Sequence, residues 1–517
     1  MNRSPRPTLL LLLVAGLASS LSGLPSCSGR AGPPRHLVFV SLDTTRADHL
    51  GAHGGSAART PRLDALAAEG VVLDDMNTVA TTTLPAHVSM FTGTWPQRHG
   101  VVRNGYTVHR SNELLPERLT EAGFHTAGFS SAVALSELLG FDQGFAVWDQ
   151  DEDTFEGPVV ANRDARRADA ITDATLAHLD SAAARDADRL FLFVHYTDPH
   201  APYDPPEPFR AAAGAPVDAD GSWGAVKRAQ HAHQRAAGHS APVVGQLSRA
   251  LALDPPGRPL PGDEGMARLY AGEVEFLDHH VGRLLDGLDA RGILDDALVV
   301  VTSDHGETFW EHGDVWSHGL AVYDTTVRVP MILRYPGAAH AGTRLDLCAS
   351  LVDLLPTILA VLGLPEAKGI DGVDLGPAIA GTAGADFDRG PVYAIAPGTG
   401  PGLEEGTGPW KGERKSHAIR DGRFKAIWTP YLDTLELYDL TADPEERNDL
   451  MRTSSDPATR ERGERLKDRL AAWIAAARPR PSVFYPRIKT GDPVRDAQAR
   501  RYLEQLQQMG YAGGDGD

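Results

Sequence analysis

Three runs of apolar, β-favouring residues, each stopping just short of an aspartate, constrain this chain more than anything else in it. His36-Leu-Val-Phe-Val-Ser-Leu42 ends at Asp43, Leu190 to His195 is followed by Asp198, and Ala297 to Thr302 by Asp304. A run that is apolar on both alternating sets of side chains reads as a strand buried on both faces, the habit of parallel sheets. Helical patterns lie between the runs. Pro61 to Gly70 has Thr60 as a good N-cap, proline at its first position and glycine at its stop, and Val274 to Leu288 is amphipathic. Strand and helix in alternation predict an α/β fold, a mainly parallel sheet with helices on both faces. Ligands of such sheets sit beyond the carboxyl ends of the strands, where the three aspartates fall.

The rhythm changes after Gly390. Short strands at His417 to Arg420, Arg423 to Trp428 and Glu436 to Leu440, the first two joined at Asp421-Gly422, predict a small antiparallel C-terminal subdomain. A charged helix from Asp456 to Ala477 follows. The expected organisation is a signal segment over 1–26, a linker over 27–35, a catalytic domain over 36–385, the C-terminal subdomain with its helix over 386–480, and a tail over 481–517. Pro205 to Gly265, rich in Ala, Pro, Gly and His, reads as an insertion near the site entrance, either a lid or a solvated loop.

Arg3 and Arg6 precede an apolar stretch from Leu9 to Leu17 that is too short to span a bilayer, which predicts export to the periplasm or cell envelope. Leu24-Pro25-Ser26-Cys27 resembles a bacterial lipobox. Either Cys27 carries a lipid anchor, the one expected membrane contact, or the chain is simply secreted. Cys348 is the other cysteine, so a processed chain has no disulfide framework. A formal charge of −19 argues against a nucleic-acid partner, though a bound cation would still allow an anionic substrate.

Adjacent Asp304 and His305 at a strand end can present an oxygen and an imidazole nitrogen to one divalent cation, and Asp43 ends a strand in the same way. Thr83, in Thr81-Thr-Thr-Leu-Pro85, falls at a helix N-terminus, where free N–H groups favour a tetrahedral anion. A hydroxyl there is most simply an N-cap; beside a cation, coordination lowers its pKa and makes it a nucleophile. Among 20 histidines, His200 and His318 stand out by their placement beside these groups, whereas His231, His233 and His239 read as loop composition.

These residues resemble the sulfatase family of the alkaline-phosphatase superfamily, from Ser41-Leu-Asp-Thr-Thr-Arg-Ala-Asp-His-Leu-Gly51 through Asp304-His-Gly-Glu307 and Arg328 to Gly337, as far as Leu437 to Leu450. The resemblance implies an alkaline-phosphatase-like fold and one cation (Ca, Mn, Mg or Zn) held by Asp43, Asp304 and His305 against Thr83. It departs at the nucleophile. Sulfatases carry Cys or Ser in a Cys-x-Pro-x-Arg segment, where that residue becomes formylglycine; here the segment is Thr83-Leu-Pro85-Ala-His87, similar to the phosphodiesterase branch in which threonine attacks. Thr44 stands where a second acid is usual. Asp198, His200 and His318 are the expected ligands of a second cation; with one cation, His200 and His318 become transition-state donor and leaving-group acid. The leading expectation is hydrolysis of a small phosphate ester through a phospho-Thr83 intermediate. A sulfuric ester hydrolase and a non-catalytic anion-binding lipoprotein are the alternatives.

Overall fold

The computed structural model describes residues 32–150, 166–222, 263–309, 311–312, 318–384, 387–397, 416–430, 433–485 and 493–508. The expected signal segment, Cys27, the cluster of His231, His233 and His239, and most of the 205–265 insertion lie outside the described residues. Among the described residues no helix is long and apolar enough to cross a membrane.

Eight strands make the central sheet: β1 (His36–Leu42), β2 (Val71–Leu73), β3 (His125–Ser130), β4 (Val147–Gln150), β5 (Leu190–Tyr196), β6 (Ala297–Thr302), β7 (Met331–Arg334) and β8 (Thr343–Leu345). Their order is β8-β2-β7-β6-β1-β5-β3-β4. All neighbours run parallel except β7, which is antiparallel to β2 and β6. The α/β fold expected from the three apolar runs is the one observed, and β1 shows why it forms. Leu37 and Phe39 enter one core, Val38, Val40 and Leu42 the other, so neither face of the strand meets water.

Helices cover both faces: α1 (Pro61–Ala68), α2 (Thr83–Thr92), α3 (Ala168–Leu179), α4 (Asp263–Asp289) and α5 (Leu354–Val361). The core on one side takes side chains of α2 and α5, the core on the other those of α1, α3 and α4. α4 begins at Asp263 rather than near Val274, because Met266, Leu269 and Tyr270 extend its buried stripe at helical spacing. The segment expected as a tail contains a helix, Pro493–Gln508, whose Ala499 and Tyr502 join the α2-side core together with Phe484 and Tyr485.

The C-terminal sheet is an antiparallel meander of β9 (Val392–Ala396), β10 (Ser416–Asp421), β11 (Phe424–Thr429) and β12 (Thr434–Asp439). One face packs on Val322, Tyr323 and Val327, the other on Leu466 and Leu470 of the helix Pro457–Ala475. Lys425, 1% exposed, crosses to Asp324 (2.6 Å) and Glu446 (2.7 Å), which ties this sheet to the segment following His318. On the other side, Ile395 of β9 accepts from the Thr81 N–H (3.0 Å) and donates to the Val79 carbonyl (2.9 Å), immediately before α2.

Candidate active site

The register of β1 decides what meets at the edge of the central sheet. Ser41 pairs with His195 of β5 on one side and with Thr302 of β6 on the other. Asp43 and Asp304, each two residues further along, therefore leave neighbouring strands at the same level. Thr44 then adopts φ 53°, a left-handed turn that few β-branched residues take. That turn aims the Thr44 N–H at Asp304 Oδ1 (3.2 Å), which also accepts from the His305 N–H (2.9 Å).

Asp43, Asp304 and His305 come together as expected: one ligand atom from each lies within 4.8 Å of the other two. All three are buried. Asp43 Oδ1, Asp304 Oδ2 and His305 Nε2 have no hydrogen-bond partner. Burying two carboxylates with lone pairs unmet costs on the order of several kcal/mol per ion. A divalent cation meets all three atoms at once, and two oxygens with an imidazole nitrogen are an ordinary donor set for one. The electrostatics carry the same signature. Burial, and then the neighbouring Asp304, pushes the Asp43 carboxyl well above its usual range. Burial opposes ionisation of Asp304 as well, but His305, His87 and His195 beside it hold its pKa below the ordinary value.

Thr83 is the first residue of α2, and Thr82 occupies the N-cap without a side-chain hydrogen bond. The open Leu84 N–H is taken by Asn104 Oδ1 (2.9 Å). The cap role, the simplest expectation for Thr83, is thus filled by other residues. His87 pins this first turn to β1: its Nδ1 lies 2.8 Å from the Thr83 carbonyl and its Nε2 2.8 Å from Ser41 Oγ. A carbonyl only accepts, so Nδ1 carries the proton and the Ser41 hydroxyl donates to Nε2. The same Nδ1 is 3.9 Å from Asp304 Oδ2, which sets the Thr83 peptide beside the candidate ligands.

His318 reaches the site because a glycine follows it. Gly319 has φ 79°, and a Cβ there would stand 3.0 Å from Thr82 Cγ2. The His318 ring lies 4.5 Å from that of His305 and 5.0 Å from that of His200, centroid to centroid. Behind it, Glu307 places Oε1 3.3 Å from His318 Nδ1 and accepts from the Tyr203 hydroxyl (3.2 Å). Burial pushes Glu307 up to about 7 and holds both His200 and His318 down at about 4. Both imidazoles are therefore neutral before substrate arrives, and an anion beside them favours their protonated form.

Asp198, expected beside His200 and His318 around a second cation, is not one of the converging groups. Its Oδ2 accepts from Ala168 N (2.9 Å) at the start of α3, and its Oδ1 lies 3.4 Å from Arg167 Nε. Three residues of the site, Glu307, His195 and His87, have no role that the sequence alone suggests. Glu307 is the last residue of Asp-His-Gly-Glu, and His318, which it contacts, lies 11 residues further along the chain. His195 offered a fainter signal, a titratable group in a strand buried at every position.

The profile of the sulfatase family matches residues 35–364. The chain belongs to the sulfatase family. A second profile, the C-terminal region of N-sulphoglucosamine sulphohydrolase, matches residues 311–475 of this sulfatase-family chain. The chain is 25% identical over 502 residues to an N-acetylglucosamine-6-O-sulfatase of Bacteroides thetaiotaomicron, covering 86% of this chain and 87% of that protein. Among solved structures it is similar to a protein in complex with its substrate D-glucosamine-2-N,6-O-disulfate (TM-score 0.66, 21% identical, 87% of this chain and 99% of the other). It is also similar to the phosphonate monoester hydrolase of Agrobacterium radiobacter (TM-score 0.64, 22% identical, 85% and 96%). At these identities the two structural likenesses speak for the fold.

Proposed function

We propose that this chain is a metal-dependent hydrolase of a small sulfuric ester, with Thr83 as the attacking group. The observation that carries it is the trio Asp43, Asp304 and His305, with its unpartnered buried atoms, at the start of the helix that Thr83 opens. The sulfate leaving unit is favoured by the sulfatases among the relatives rather than by any one distance. A cation bound by the trio would supply positive charge for the ester oxygens and lower the pKa of a hydroxyl beside it. Thr83 Oγ attacks sulfur and loses its proton; an Oγ–S bond forms as the S–O bond to the alcohol breaks. His200 and His318, whose rings stand near that of His305, would supply the proton or hydrogen bond to the departing oxygen. Water then attacks the sulfur, releasing sulfate and restoring the Thr83 hydroxyl.

A second reading, hydrolysis of a phosphate or phosphonate ester through phospho-Thr83, is favoured by one observation: threonine stands where a formylglycine precursor would. The relatives lend it less support than they lend the sulfuric ester. The deciding assay sets 4-nitrophenyl sulfate, phosphate, bis-phosphate and phenylphosphonate side by side on metal-loaded protein. Turnover on sulfate above the others upholds the proposal, and turnover on phosphoesters alone transfers it to the second reading. No turnover on any ester with metal loaded would leave the anion-binding role as the function.

A further inference from the structure

His195 lies inside β5, fully buried, opposite Ser41 in the register. Its Nε2 has no hydrogen-bond partner and stands 3.6 Å from Asp43 Oδ2, too far for a hydrogen bond. With His87 and Asp304, His195 forms a second group of candidate ligand atoms mutually within 4.8 Å, so Asp304 belongs to both groups. Within that second group His87 is already committed, through Nδ1 to the Thr83 carbonyl and through Nε2 to Ser41.

His195 is not committed in that way. Its Nδ1 lies 3.4 Å from Ser130 Oγ, a hydroxyl that accepts from Ala132 N (3.1 Å) and has a second lone pair to offer. When Nδ1–H donates to that oxygen, the lone pair of Nε2 is left on the Asp43 side of the ring. Ligating imidazoles are held in this way, by a hydrogen bond from the nitrogen that does not bind.

We propose that His195 is a ligand, through Nε2, of the cation held by Asp43 and Asp304. This rests on the cation reading of the site given above. Asp43, Asp304, His305 and His195 then supply two oxygens and two nitrogens. That set suits zinc or manganese and disfavours calcium, which takes six to eight oxygens.

The test is metal binding itself. The chelator-stripped full chain is titrated with Zn2+, Mn2+ and Ca2+ against a chromophoric chelator, with circular dichroism of the stripped protein as the control for folding. Wild type should bind Zn2+ and Mn2+ well ahead of Ca2+. The His195→Gln variant should keep its fold and lose more than about 10-fold in Zn2+ affinity, since even a residue that only supports a ligand costs that much. Equal Zn2+ affinity in wild type and His195→Gln overturns the assignment and leaves the cation reading standing; a wild type that binds no cation overturns both. Should His195→Gln fail to fold, zinc-edge X-ray absorption on a His200→Gln/His318→Gln double variant decides. Two imidazoles on the metal uphold the assignment, and one defeats it.

Discussion

The Ser41 hydroxyl and His87 Nε2 lie 2.8 Å apart, and this contact joins the strand that delivers Asp43 to the helix that Thr83 opens. Both residues are fully buried. Removing the ring leaves a cavity and an unmet Ser41 hydroxyl. His87→Ala should therefore cost about 2 to 4 kcal/mol. It should also lower kcat about 100-fold, the effect of misplacing a reacting group by about 1 Å. Thermal unfolding and steady-state kinetics on the same preparation separate the two effects. Unchanged turnover in a folded His87→Ala protein would show that the helix is positioned by other contacts.

Chelation and the Asp304→Ala substitution should converge on one phenotype. On the proposed function either would remove the cation from Asp43 and His305, and turnover should fall to background. The wild type should also unfold at a lower temperature without metal, since a ligand present at 100 times its Kd contributes about 2.7 kcal/mol. Differential scanning calorimetry with and without chelator reads this directly. In Asp304→Ala, chelator should no longer shift the transition.

Thr83 is separable from the fold because Thr82 holds the N-cap and Asn104 serves the Leu84 N–H. Thr83→Ala should abolish turnover while changing stability by less than about 1 kcal/mol, as expected where no cap is lost. Thr83→Ser should retain part of the activity. Mass spectrometry of acid-quenched wild type should find sulfate, or phosphate in the second reading, on the peptide that carries Thr83. A fully active Thr83→Ala protein removes threonine from the chemistry.

How much of this was legible beforehand follows from which contacts are local. β1 and β6 could be read to the residue because strands buried on both faces are apolar without interruption. Four-residue β7 lay within Arg328 to Gly337 and went unread, since so short a strand shows no period. Asp304 and His305 are neighbours in sequence, so their partnership was visible. Asp198 looked equivalent to Asp43 and Asp304 because all three follow strands. Its contacts in the fold, Arg167 and the start of α3, lie some thirty residues upstream, where no sequence pattern points to them. His195 was hidden for a related reason: only the pairing of β1 with β5 sets it beside Asp43.

Acid should destabilise the chain through histidines buried in neutral form, and His99 is the clearest of them. Val101 N donates to its Nδ1 (3.1 Å) and its Nε2 meets Ser89 Oγ (2.9 Å), with burial, then Arg480, lowering its pKa from 6.5 to about 3. The folded pKa is depressed, so the contribution is complete above pH 6.5 and is lost as pH falls toward 3. Between pH 6.5 and 5 the loss should be about 2 kcal/mol. Urea midpoints at the two pH values measure it, and His99→Gln should show a shallower fall than wild type. Identical slopes would mean that His99 takes up its proton at the same pH folded and unfolded, against the depressed value.

Lys425 answers Asp324 and Glu446 from within the C-terminal sheet. Lys425→Met leaves Glu446 buried without a cation and Asp324 with Arg420 (4.0 Å) in its place, and should cost about 3 to 5 kcal/mol. Calorimetry should find that loss, and Lys425→Arg should recover part of it. A variant as stable as wild type would mean that the two carboxylates are protonated in the fold.

The link between Ile395 and the residues just ahead of α2 bears on how such a chain can be handled in the laboratory and altered by descent. A fragment cut near residue 385 would retain every proposed ligand and the threonine, yet would lose the edge on which the approach to that threonine rests. Modular exchange of the carboxyl-terminal quarter between relatives is therefore a graft into the reacting centre, and hybrids should fail in catalysis before they fail to fold.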